Sequence, residues 1–115
     1  MNHKELEVWK KGMELAKSVY ELTREFPSCE AYGLTSQMRR AAVSVPSNIA
    51  EGAARGADND FARFLRIALS SLSELETQVI LARDLGYTAK CAELLVCIES
   101  VQRLLMGMIR HLKSK

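Results

Sequence analysis

Five arginines, Arg39, Arg40, Arg55, Arg63 and Arg66, fall between positions 39 and 66 of a 115-residue chain. A guanidinium suits phosphate because its planar fork donates two parallel hydrogen bonds to one anionic group. The net charge is only +2, so total charge makes no case for a polyanion, and the case rests on where the arginines sit. Arg40 falls on the face of its helix opposite the apolar seam. Arg63 and Arg66 are one turn apart on a polar face, and Arg55 lies in the connection between these two helices. Arg39 and Arg40 belong nearer the opposite end of their helix, so the five need not form one patch. The competing reading is a solvated face whose arginines pair locally with Glu51, Asp58 and Asp60. No stacking aromatic stands on an evident polar face, so any nucleic-acid contact is expected to have low sequence specificity.

Other chemistry finds no support. A Ser-His-Asp arrangement has to recruit His3 or His111, both near chain ends. Glu74 and Glu76 are two apart and point to different helix faces. There is no Glu-x-x-His pair for a di-metal site. The segment Glu51-Gly-Ala-Ala-Arg-Gly56 lacks the Gly-Lys-Ser/Thr ending of a phosphate loop. Cys29, Cys91 and Cys97 include no Cys-x-x-Cys pair, and with only two histidines a zinc site is not expected. The thiols are expected to be reduced and partly buried in a cytoplasmic protein. Neither a catalytic function nor a metal or other cofactor is expected.

The elements that must position the arginines are helices. Hydrophobic residues at 48% against 26% charged, with two prolines and six glycines, fit one soluble domain over residues 1–115 and few turns. No signal peptide is expected, since Met-Asn-His-Lys-Glu lacks an apolar run, and no apolar run approaches the roughly 20 residues of a membrane span. Breaks at Phe26-Pro27-Ser28 (closing with Tyr32-Gly33), at Gly56-Ala57-Asp58 and at Gly86-Tyr87-Thr88 separate four helical segments. Thr35, Asp58 and Thr88 are candidate N-caps, and Gly86 a candidate C′ residue.

Apolar spacing assigns the faces. In the third helix Phe61, Leu65, Ala68, Leu72, Leu75, Val79 and Ala82 recur at alternating steps of four and three, a heptad seam. The fourth repeats it with Leu94, Ile98, Val101, Leu105, Met108 and Leu112. The first helix has a charged stripe (Lys10, Glu14, Lys17, Glu21, Arg24) and two apolar ones. One apolar stripe is Leu6, Trp9, Met13, Ala16 and Tyr20, and the other is Val8, Leu15, Val19, Leu22 and Phe26. Together the apolar stripes cover roughly 200° of arc, more than a lone bundle requires. Either the bundle covers this helix on two sides, or the surplus meets another subunit. Val8, Leu15, Val19 and Leu22 are the candidate subunit interface. In the second helix small residues line the seam and Pro46 lies well inside, expected to kink it by colliding with the Ala42 carbonyl. Asn48 near that seam needs partners, the freed carbonyl being one candidate. Pro46 and Asn48 read first as structural, second as ligand contacts.

The chain resembles a family of small bacterial proteins, the 23S rRNA intervening-sequence proteins. The resemblance is carried by Val8-Trp9-Lys10-Lys11, Phe26-Pro27, Tyr32-Gly33-Leu34-Thr35-Ser36-Gln37-Met38-Arg39-Arg40-Ala41-Ala42 and Ser44-Val45-Pro46-Ser47-Asn48-Ile49-Ala50-Glu51-Gly52. It continues through Arg55, Phe61, Arg63-Phe64-Leu65, Ile67-Ala68, Ser71-Leu72-Ser73-Glu74-Leu75-Glu76-Thr77-Gln78 and Leu85-Gly86-Tyr87. It implies an all-α fold, an antiparallel up-down four-helix bundle assembling as a ring-like homopentamer. Pro46, Asn48, Glu51 and Gly52 belong to the structural motif it carries. Arg39, Arg40, Arg55 and Arg63 fall in its arginine-bearing motif, whereas Arg66 is added from its helix face alone. The resemblance also relates the chain to accessory proteins of diversity-generating retroelements, pentameric barrels that bind nucleic acid and a reverse transcriptase. Two functions are therefore expected in order. The first is a non-enzymatic homo-oligomer that binds RNA or DNA through arginine–phosphate contacts. The alternative is a protein–protein adaptor, such as an accessory subunit for a reverse transcriptase or other nucleic-acid enzyme.

Overall fold

The computed structural model describes residues 2–115, and it is all-α. Four long helices carry the chain: α1 (Glu7–Thr23), α2 (Leu34–Ala54), α3 (Asp58–Asp84) and α4 (Cys91–Lys113). Short 3-10 turns at His3–Glu5 and Ser28–Glu30 precede α1 and α2. Each helix packs on its neighbours in the order α1, α2, α3, α4 and back to α1, with no close approach across either diagonal among the described residues. The α2–α3 packing is the most extensive and α1–α4 the sparsest of these pairs. The molecule is 46 Å long and about half as wide, as helices of this length at 1.5 Å per residue require.

The heptad seams form the core. Leu65, Leu72, Leu75 and Val79 of α3 are fully buried, as are Ile98, Val101 and Leu105 of α4 and Met38, Val45 and Ile49 of α2. Small residues on α2 let helices approach closely. A methyl group placed on Gly52 would stand 2.8 Å from the Phe64 Cβ, 2.9 Å from the Phe61 ring and 3.2 Å from the Phe61 carbonyl oxygen. Only glycine fits that contact, which presses the end of α2 onto the start of α3. Gly12 of α1 lies against Val45 and Pro46 at ordinary contact distance. α2 continues through Pro46, whose ring is buried. Asn48 is half-buried, and its Nδ2 donates to the Ser44 carbonyl (2.8 Å) and the Ser44 hydroxyl (2.9 Å), not to Ala42. The Ser44 hydroxyl in turn meets that of Ser71 on α3 at 2.9 Å. Asn48 thus completes a polar chain that ties α2 to α3.

The stripe of α1 expected at a subunit contact lies instead inside the chain's own core. Val8 is 4% exposed, and Leu15 and Val19 are fully covered; Leu22 is half-buried against the same core. The surplus apolar surface belongs to the other stripe, where Trp9 and Met13 are half-buried and Tyr20 is exposed. A helix with two apolar stripes does not say which one faces inward. The positions of α2 and α4 decide it.

The helix ends also differ from expectation in a consistent way. The residues at the N-cap positions are Gly33, Ala57 and Lys90, none with a side-chain cap. Thr35 and Asp58 already lie within their helices, while the Thr88 hydroxyl accepts from the Lys90 N–H at 3.0 Å. Asp58 joins Asp60 in the first turn of α3, where carboxylates complement the helix dipole. For α2 the cap comes from upstream: a Glu30 carboxylate oxygen accepts the Leu34 N–H at 3.0 Å. Its second oxygen accepts the Tyr87 hydroxyl at 2.8 Å, and Phe26 packs against the Tyr87 ring with centroids 5.5 Å apart. Tyr87 follows Gly86, whose φ of +78° suits glycine. The Gly86 and Tyr87 amides return to the Arg83 and Ala82 carbonyls, the paired bonds of a Schellman ending. The α1–α2 and α3–α4 connections are therefore latched together through Glu30 and Tyr87.

Candidate nucleic-acid interface

The five arginines divide into two groups. Arg39 and Arg40 sit near the start of α2, beside α1. Arg39 is half-buried. Its Nε donates to the Thr23 hydroxyl at 2.9 Å and its Nη2 to the Tyr20 carbonyl at 3.4 Å. Its guanidinium carbon lies 4.6 Å from the centre of the Tyr20 ring. Thr23 is itself anchored, donating to the Val19 carbonyl at 2.8 Å. Arg39 is thus a strut between α1 and α2 with part of its donor set in use. Arg40 points to solvent and has no carboxylate within 4.0 Å among the described residues.

Arg55, Arg63 and Arg66 lie at the α2–α3 turn and the first turns of α3. The Arg55 and Arg63 guanidinium carbons stand 4.9 Å and 4.5 Å from the centre of one ring, that of Phe64. A cation over an aromatic face is attracted by the ring quadrupole. Phe64 therefore serves as a common resting surface for both forks. Phe64 is in turn held by Gly52, whose missing side chain admits it. Glu51 pairs with Arg55 at 3.0 Å across one helical turn, both side chains about half exposed, and an ion pair so exposed contributes little. Arg63 and Arg66 are exposed, and neither has a carboxylate within 4.0 Å among the described residues.

The end of α4 adds basic residues that the arginine spacing does not point to. Lys115 Nζ lies 3.8 Å from Asp58 Oδ2, which brings the last turn of α4 to the start of α3. Residues 103–115 carry Arg103, Arg110, Lys113 and Lys115 and contain no Asp or Glu. That carboxylate-free run is visible in the sequence, but the contact of Lys115 with Asp58 at the start of α3 is not. Basic residues also complement the C-terminal end of a helix dipole, so the run serves α4 whether or not it serves a ligand. Elsewhere the surface is mixed. A cavity of about 610 Å³ between α1 and α4 is rimmed by Glu21, Glu25 and Glu93 together with Arg24 and Lys90. Cys97 lines it, and burial pushes that thiol up from its ordinary range, the opposite of an activated nucleophile. No group of three or more His, Cys, Asp or Glu is gathered as for a metal among the described residues. Among the described residues no helix is long and apolar enough to cross a membrane.

The aromatic surface departs from the expectation that no ring stands on a polar face. Tyr20 is 42% exposed beside Arg39, and Tyr32 is fully exposed in the connection leading to α2. Phe64, though buried, is the ring on which two arginines rest. Helical spacing places Tyr20 on an apolar stripe and so hides it as a surface group.

The family model for 23S rRNA-intervening sequence proteins matches residues 4–107. Among solved structures, a protein of unknown function from the S23 ribosomal protein family of Bacteroides thetaiotaomicron is similar. It is 22% identical, with a TM-score of 0.82, over 90% of this chain and 95% of that one. At that identity the likeness speaks for the fold. No curated protein matches the chain.

Proposed function

The chain belongs to the 23S rRNA-intervening sequence protein family, and from that premise we propose that it is a non-enzymatic, homo-oligomeric protein that binds RNA or DNA through arginine–phosphate contacts. The observation that carries the reading is the pair Arg55 and Arg63 held over the single Phe64 ring, with Arg66 exposed one turn on. Two forks without full carboxylate compensation, kept close by a buried aromatic, are prepared for a phosphate backbone rather than for an internal ion pair. We place the protein in the cytoplasm, as an antiparallel up-down bundle assembling into a ring of five. Repetition around a ring multiplies a patch that is modest in one chain. Support for assembly comes from exposed apolar residues on α3 and α4: Ile67, Leu81, Leu85, Val96 and Met106. Ile67 and Leu81 are two heptads apart with the exposed Glu74 midway between them, and Leu85 follows Leu81 one turn on.

The same exposed apolar residues favour the second reading, a protein–protein adaptor whose partner is a nucleic-acid enzyme such as a reverse transcriptase. One titration separates the two. Nuclease-treated protein is titrated against fluorescent structured RNA and duplex DNA at several salt concentrations. Saturable binding that weakens steeply with salt is expected. The double variant Arg63→Ala, Arg66→Ala is expected to bind more weakly to every sequence. Its logarithmic salt dependence should flatten by about 1 for each phosphate no longer engaged. No binding even at low salt removes the nucleic-acid function and leaves the adaptor in first place.

A further inference from the structure

We infer that the α1–α2 face around Tyr20, Tyr32 and Arg40 is a second nucleic-acid subsite, one that takes unpaired bases of a single strand, RNA or DNA. The inference rests on the nucleic-acid function proposed above and assigns a substrate class to a different part of the surface. Four observations carry it. Tyr20 and Tyr32 are 42% and 100% exposed, so both leave ring surface open to a ligand. The Arg39 guanidinium lies 4.6 Å over the Tyr20 ring and is fixed there by its bonds to Thr23 and to the Tyr20 carbonyl. A held guanidinium plane over an aromatic ring is a stacking platform, because bases stack on both kinds of surface. Arg40, exposed and without a carboxylate partner, stands on the next position for a phosphate. Beside Tyr20, Arg39 and Arg40 lies a cavity of about 530 Å³, lined also by Ser36, Val43 and Ala31; Tyr32 is outside the lining but follows Ala31 directly in the chain.

The chemistry selects the unpaired strand. A duplex presents phosphates but keeps its base faces stacked, so the tyrosines gain nothing from it. A single strand offers π-faces that any exposed ring can accept without regard to sequence, with Arg40 on the backbone. The Arg55–Phe64–Arg63 cluster works differently: its ring is buried beneath the cations and cannot stack on a base. The two subsites therefore divide the labour, one reading charge and the other reading whether bases are free.

The test uses full-length protein and three probes of one sequence, about 12 nucleotides long: single-stranded RNA, single-stranded DNA and duplex DNA. Each single strand carries a 2-aminopurine, whose fluorescence changes when it stacks. The variants are Tyr32→Leu and Tyr20→Leu, alone and combined, with Arg63→Ala, Arg66→Ala as the comparison. Expected is a 2-aminopurine change on binding to wild type, and a loss of single-strand affinity of at least about fivefold per ring removed. Duplex affinity should be unchanged. The arginine double variant should instead weaken single strand and duplex alike. Tyr32→Leu removes a side chain that touches no core, so its result stands even if Tyr20→Leu loosens α1. Equal loss for single strand and duplex, or no loss for either, overturns the subsite while leaving the arginine cluster standing. A changed assembly mass in Tyr32→Leu would also overturn it, by making this face a subunit contact. Failure of wild type to bind any probe is the separate failure of the nucleic-acid function itself.

Discussion

At the scale of single residues, the most consequential side chain outside the arginine clusters is Glu30. The Leu34 amide first, and then the Tyr87 hydroxyl, hold its carboxyl below the usual carboxylate range. The same bond, followed by burial, pushes the Tyr87 phenol up. The two shifts have opposite linkage signs. A lowered carboxylate contributes stability that is present above the ordinary Glu range and lost as pH falls through the lowered value. A raised phenol contributes stability that is present below the ordinary Tyr range and lost as pH climbs through the raised value. Thermal melts across pH should therefore show a shoulder of stability from mildly acidic to mildly alkaline conditions. Tyr87→Phe should lower Tm within that window and flatten both flanks. Glu30→Gln should remove its own contribution to the acid flank. Melts of Tyr87→Phe that track wild type at every pH would mean the latch contributes nothing. Gly33 belongs to the same latch. A methyl group there would stand 2.7 Å from the Glu30 carboxylate, so glycine lets the cap close.

At the scale of elements, α2 is built to be approached. Ala41, Ala42, Gly52 and Ala53 are all buried, and the hydroxyl and amide of Ser44 and Asn48 bridge to Ser71 without leaving an open polar seam. This makes α2 intolerant of added volume where α3 presses on it. Gly52→Ala gains helix propensity of about 1 kcal/mol, but it drives a methyl into two phenylalanines and a backbone carbonyl. Overpacking of that kind costs about 1–3 kcal/mol, and the rigid carbonyl places this site toward the upper part of the range. A net loss of about 1–2 kcal/mol is expected, read as a fall in the denaturation midpoint. The same substitution should weaken nucleic-acid binding beyond its effect on folding, because Phe64 is the shared seat of Arg55 and Arg63. A stable variant with unaltered binding would show that α2 and α3 yield at this point.

At the scale of the whole molecule, surface character is unevenly spread. At the α2–α3 turn Glu51 and Asp58 answer Arg55 and Lys115 while Arg63 and Arg66 stay without an ion pair among the described residues, and the α1–α4 cavity is rimmed by Glu21, Glu25 and Glu93 with Arg24 and Lys90. The apolar excess lies on the outer faces of α3 and α4. If those faces join subunits, Leu81→Glu with Leu85→Glu should leave a folded chain of native helix content but reduced mass by light scattering. Both residues are about half exposed, so charges there need not enter the core. An unchanged assembly would move the interface elsewhere, to the half-buried Trp9 and Met13 stripe of α1.

Four helices, their approximate ends and the α3 and α4 seams are legible in the order of residues, because 3.6-residue periodicity and turn chemistry are local properties. That order also singled out Gly86 and the small-residue seam of α2. Tertiary structure alone decided which apolar stripe of α1 turns inward, since two stripes of similar apolar character are distinguished only by where α2 and α4 stand. It alone divided the five arginines into a strut (Arg39), two solvent-facing forks (Arg40 and Arg66) and a pair on Phe64, and it alone set Glu30 against Tyr87, 57 positions later. Apart from Arg63 and Phe64, which are neighbours in α3, those contacts cross from one element to another, and only the packing of one helix against another brings the partners within hydrogen-bonding or stacking distance.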